Sequence, residues 1–164
     1  RIERVLAIAP YTDVIVQRII HLVKYAPARD VAGAFCALLA DARFPDEVHD
    51  AVVVPVPLHW RREMERGFNQ SRLLAEAVAP VIGSEVADVL TRTKRTTSQV
   101  ELTHDKRGAN VYGAFTCERP DGVHGRNVLL VDDVVTTGAT MGECARALRA
   151  AGAKSVHGFA LARG

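Results

Sequence analysis

Cysteine is scarce in this chain, and what there is does not suit a scaffold or a metal. Cys36, Cys117 and Cys144 are its three cysteines, an odd number with no two at CxxC spacing. Neither a disulfide framework nor a zinc ribbon is therefore written into it. The expectation is of buried or half-buried thiols in a reducing compartment, since free cysteine packs as a small hydrophobe. Long apolar runs are missing too: none approaches the roughly 18 residues a membrane span requires. The sequence opens on Arg1, not Met, and shows no secretory leader, so the expected location is cytoplasmic. Charge of one sign is not in excess either. A net charge of +2 and a pI near 8.6 are too mild to argue for nucleic acid as a partner. Repeats and low-complexity tracts are absent.

What is present is enough for one domain. At 164 residues and 48% hydrophobic the chain is able to bury a proper core. The opening third reads as helical. Val14, Ile15, Ile19, Ile20, Leu22 and Val23 recur at close to helical spacing, with Thr12 or Asp13 as the cap and Pro27 as the stop. A second helix is expected from about Arg29 or Asp30 to Ala42, before Pro45. Ala51, Val52, Val53 and Val54 form a β-branched run, the mark of a buried strand, which ends at Pro55-Val56-Pro57. An Arg-rich loop and a helix from about Asn69 to Val78 follow, then a strand over residues 86–90.

Residues 91–108 lack apolar periodicity and read as a loop, too long for a plain connection. A strand over 111–117, a turn at Arg119-Pro120-Asp121-Gly122 and a buried strand over 127–131 come next. A helix over 140–151 stopping at Gly152 and a closing strand over 155–161 complete the chain. Strands alternating with helices predict an α/β fold with a parallel, doubly wound sheet.

The strongest local signal is Val128-Leu129-Leu130-Val131-Asp132-Asp133-Val134-Val135-Thr136-Thr137-Gly138-Ala139-Thr140. It reads as strand, acid pair, small-residue loop and helix start. In an open α/β sheet such a loop sits at the carboxyl edge, where ligands bind. Free N–H groups and the helix dipole at 136–140 suit a phosphate, and Gly138 allows close approach of the backbone. No lysine follows the glycine, so this is not the ATP-type loop, and the phosphate is a static handle. Adjacent side chains on a strand point to opposite faces, so Asp132 and Asp133 are not expected to chelate one metal together. They suit sugar hydroxyls better. An acidic turn capping the helix is the plain alternative. An aspartyl phosphatase wants two acids separated by one residue, which is not the pattern here. An unrelated nucleotide-binding domain is a third reading.

That run resembles the fingerprint of type I phosphoribosyltransferases, which bind 5-phosphoribosyl 1-diphosphate (PRPP). The resemblance implies that Asp132 and Asp133 hold the ribose hydroxyls and that Thr136, Thr137, Gly138, Ala139 and Thr140 hold the 5′-phosphate. Pro55-Val56-Pro57-Leu58-His59 and Arg66-Gly67-Phe68-Asn69-Gln70-Ser71 narrow the match, together with Arg92, Thr97, Gln99, Leu102, Arg107 and Asn110 at their spacings. They resemble the ComF/GntX family of phosphoribosyltransferase-like competence proteins, as does His21-Leu22-Val23-Lys24-Tyr25. Many members carry a four-cysteine zinc ribbon ahead of this region; none is in the present sequence, so no zinc is expected for these residues.

By that resemblance Pro57, Leu58 and His59 form the pyrophosphate loop, with Arg66 the best placed of Arg61, Arg62 and Arg66 to add charge. Residues 91–108 correspond to a flexible loop that closes over PRPP, with Lys94, Arg95, Thr97 and Gln99 on it. Arg92 and Arg107 join the two aspartates as the candidate catalytic residues. Mg²⁺ would come with PRPP and make no direct protein bonds. The helical part up to about residue 45 would supply a hood, with Lys24 and Tyr25 lining it, over a core from residue 46 on. The implied activity is transfer of ribose 5-phosphate to an unidentified nitrogen acceptor with release of pyrophosphate. The alternative is a non-catalytic PRPP-binding accessory protein in DNA uptake or replication restart, partnered by DNA-uptake or helicase proteins.

Overall fold

Valine sets the sheet. Val52–Pro55 forms β2 with all four residues buried, because Val52 and Val54 face one core while Val53 faces another. A strand covered on both faces has no polar side to show, hence the unbroken apolar run. The computed structural model describes residues 1–40, 42–58, 60–93 and 111–164, with the backbone alone for Lys24, Tyr25, Arg61, Arg62 and Arg66.

Four parallel strands form the main sheet in the order β1-β6-β5-β2. They are β1 (Val5–Pro10), β2, β5 (Asn127–Val135) and β6 (Ser155–Arg163). A two-stranded antiparallel ribbon, β3 (Leu90–Arg92) with β4 (Phe115–Cys117), stands beside it. One face of the sheet is covered by α5 (Ala139–Ala150) and the ribbon, through Val54, Leu130, Met141, Cys144, Leu148 and Phe115. The other is covered by α2 (Ala28–Leu39) and α4 (Gln70–Val78), through Phe35, Leu39, Val53, Leu74, Leu129 and Leu161. Helices on both faces of a parallel sheet make the doubly wound α/β fold that alternating strands and helices predict.

α1 (Val14–Tyr25) starts where expected: the Asp13 carboxylate accepts from the N–H groups of Ile15 and Val16 at 2.9 and 3.1 Å. Its Val16 and Ile20 pack on Ala162 near the carboxyl ends of β5 and β6. Gly158 on β6 has no room for a side chain. A Cβ there would lie 3.0 Å from Met141 Sδ and 3.2 Å from Val5 Cγ2, so its absence lets α5 approach the sheet.

Several expectations are corrected. The opening third is not all helical, since β1 precedes α1; pairing along β6 over Val5–Pro10 organises a segment with no helical periodicity. The stretch after Pro57 is not all loop but contains α3 (Trp60–Arg66). Val86 makes a single parallel bridge to Val53, and the strand proper begins at Leu90, so Arg92 belongs to a strand and not to a loop. The strand expected over 111–117 is confined to Phe115–Cys117. Cys144 is buried and Cys117 half-buried, but Cys36 is exposed. Among the described residues no helix is long and apolar enough to cross a membrane.

Candidate functional site

Strand pairing opens the site. β2 accompanies β5 only as far as the pair Pro55–Val131, after which the N–H of Val56 donates to Val131 O at 2.9 Å. β5 continues alone on that side through Asp132 and Asp133 to Val135, so the acids lie within the strand and not past its end. The chain from β2 diverges over Pro57 and Leu58, both half-buried. The carboxyl edge, where neighbouring chains part, is the usual binding place in open α/β sheets.

The two acids organise the bare stretch of β5. The N–H of Asp133 donates to Asp132 Oδ1 at 3.0 Å, and the N–H of Val134 to Asp133 Oδ1 at 2.9 Å. Asp132 Oδ1 also accepts from the Ser71 hydroxyl at 2.9 Å. Burial, and after it the charge of Asp133, pushes the Asp132 carboxyl well above the ordinary carboxylate range; the Ser71 hydroxyl pulls it back. Asp132 therefore feels the neighbouring carboxylate more than alternation along a regular strand suggested.

The phosphate loop candidates sit at the start of α5. Gly138 is its N-cap in the left-handed region, φ 75° and ψ 2°, a conformation costly for any residue with a Cβ. Nothing lies within 4 Å of where that Cβ would be, so the loop leaves open space above the helix N-terminus. Thr136 and Thr137 are exposed, and Gly138, Ala139 and Thr140 half-exposed. The N–H of Ala139 donates to the Thr137 hydroxyl at 3.3 Å, and the positive end of the helix dipole makes this place suited to an anion.

Arg92, on β3, is half-buried with its guanidinium 5.4 Å from the centre of the Phe115 ring. Its charge bears on Cys144, whose thiol burial raises well above the usual range, with Asp132 adding to the rise and Arg92 opposing it. The ends of the ribbon are tied together: the N–H of Thr93 donates to Ala114 O at 2.8 Å. They are also tied to α5, where Glu143 Oε2 accepts from the N–H of Gly113 at 2.8 Å. Lys94, Arg95, Thr97, Gln99 and Arg107 lie outside the described residues, as does His59. Arg66 closes α3, with only its backbone described.

Two site residues escaped the sequence reading, although both lie in the segment quoted for the resemblance. Asn69 caps α4 by accepting from the N–H of Ser71 at 3.0 Å, and its Nδ2 donates to Val56 O at 3.1 Å. Ser71 is 1% exposed and reaches Asp132. An Asn just before an apolar-periodic helix is a readable cap signal. The contact of Ser71 with a residue 61 positions away is not readable locally.

Comparison with known proteins bears on the family and the fold. The family described as phosphoribosyl transferase domain matches residues 69–164. The "DNA utilization protein YhgH" of Escherichia coli (strain K12) is 34% identical over 98% of this chain and 72% of its own length. "Competence protein ComFC" of Bacillus subtilis (strain 168) is 34% identical over 82% of this chain and 50% of its own. Among solved structures, "glutamine phosphoribosylpyrophosphate (PRPP) amidotransferase from B. subtilis complexed with ADP and GMP" superposes with a TM-score of 0.50 and 22% identity. The match covers 81% of this chain and 26% of that one.

Proposed function

Since the chain belongs to the ComF family of phosphoribosyltransferase-like proteins, we propose that it binds PRPP with Mg²⁺ and transfers ribose 5-phosphate to a nitrogen acceptor, releasing pyrophosphate. The observation that carries the reading is the alignment of Asp132, Asp133 and the glycine-capped start of α5 along one strand-to-helix turn. The acids stand ahead of the anion-suited helix start, as ribose hydroxyls stand ahead of a 5′-phosphate.

In this reading the α5 N-terminus fixes the phosphate through N–H groups at 138–140. Asp132 and Asp133 accept from the ribose hydroxyls and favour the positive charge that develops at C1. As the C1–N bond forms, the C1–O bond breaks, the pyrophosphate takes the bonding pair and the acceptor nitrogen gives up its proton to water. The pyrophosphate would lie toward Pro57 and Leu58, where the chain leaves Val56. Mg²⁺, brought in with PRPP, would neutralise charge on the leaving group. Arg92 and the segment 94–110 would exclude water from C1; the ties from Thr93 and Gly113 to Ala114 and Glu143 anchor both flanks of that segment beside α5.

The names of the relatives, DNA utilization and competence proteins, favour a second reading: PRPP binding as a regulatory input to DNA handling, without chemistry. Pyrophosphate release from PRPP and Mg²⁺ across a panel of nitrogen bases separates the two. Release with one base supports transfer; saturable binding with no release under any base supports the accessory role.

A further inference from the structure

The start of α4 touches both halves of the proposed site. Asn69 Nδ2 donates to the carbonyl of Val56, from which the pyrophosphate-side chain departs. Asn69 Oδ1 accepts from the N–H of Ser71, and the Ser71 hydroxyl donates to Asp132 Oδ1. Each link spans 2.9 to 3.1 Å, and Ser71 is almost wholly buried. A serine in the first turn of a helix ordinarily turns its hydroxyl to solvent or to local backbone; this one is spent on a carboxylate from another strand.

We propose that Ser71 is a positioning residue for PRPP, which with Asn69 forms a hydrogen-bonded chain from the pyrophosphate-side loop to the ribose acid Asp132 and holds that acid as an acceptor. The inference rests on the PRPP reading above. Asp132 needs such help. Its surroundings offer Asp133 beside it and Cys144 across on α5, a thiol on which Arg92 and Glu143 also act. Ala160 pairs with it from β6 and brings no charge. Burial and the neighbouring carboxylate favour its protonated form, and a protonated Asp132 has one oxygen fewer to offer a ribose hydroxyl. The Ser71 hydroxyl opposes both, and the positive end of the α4 dipole acts in the same sense.

The test is the pH profile of PRPP affinity with Mg²⁺ for the wild type, Ser71→Ala and Ser71→Thr, read by calorimetry. The expected result is affinity that rises with pH in the wild type. In Ser71→Ala the rise moves to higher pH, with about a tenfold loss at its acid end, as expected for one charge-assisted hydrogen bond. The two curves converge at alkaline pH, and Ser71→Thr, which keeps the hydroxyl, follows the wild type. If Ser71→Ala fails to fold, Ser71→Cys, similar in size but a weak donor, takes its place with the same expected shift. A loss equal at every pH, or none, would make Ser71 a structural residue only and overturn the inference. A wild type that binds no PRPP at any pH would instead remove the PRPP reading itself.

Discussion

Replacing Asp132 by Asn should make the protein more stable and a poorer binder of PRPP. Asn has the same shape, and its Oδ1 keeps both bonds that Asp132 Oδ1 accepts, from the Ser71 hydroxyl and the N–H of Asp133. The change removes a half-buried negative charge and puts an N–H donor near Asp133. Relieving a site of this kind is worth on the order of 1 kcal/mol, or about 2–4 °C in Tm for a chain of this size. The effect depends on pH in a defined sense. Folding raises the Asp132 pKa, so between the unfolded value of about 4 and the higher folded value the native state holds more protons. Wild-type stability from this group therefore falls as pH rises through that window, and the cost is complete above it. Asp132→Asn lacks that slope. Calorimetric melting should show the variant ahead at pH 8 and the gap closing near pH 4. PRPP affinity should fall about tenfold, a neutral acceptor replacing a charged one. A variant less stable than the wild type at pH 8, or a gap that persists at pH 4, would mean that the Asp132 charge does not destabilise the fold.

Gly138→Ala should cost about 1–2 kcal/mol in denaturant unfolding, because φ 75° is unfavourable for a Cβ-bearing residue, and should weaken PRPP binding further by displacing the N–H groups of the α5 start. Thiol titration of the native protein should label exposed Cys36 quickly, while Cys144, buried and with its thiol pKa raised, reacts only on unfolding. Equal rates for the two would contradict the packing of α5 described above.

The layers of the fold were legible where periodicity and β-branching are strong. Val52, Val53 and Val54 announced β2, and Thr12-Asp13 announced the cap of α1, because both signals are local. β1 was missed because the hydrogen bonds that order Val5–Pro10 are made with β6, some 150 residues away in sequence. α3 was missed because Arg61, Arg62, Glu63 and Glu65 give a short polar helix no apolar period to read. At the site, Asp132, Asp133 and Gly138 were legible as a contiguous run. The support given by Asn69 and Ser71 was not, since it joins α4 to β5 and to the turn after β2 through bonds that only the fold creates.

PRPP binding itself is measured by calorimetric titration of PRPP with Mg²⁺ into the wild type and Asp133→Asn, with ATP as the competing ligand. Saturable binding of PRPP by the wild type is expected, with marked weakening in Asp133→Asn and no comparable binding of ATP. Binding of ATP without PRPP, or of neither, would mean that this is not a PRPP site.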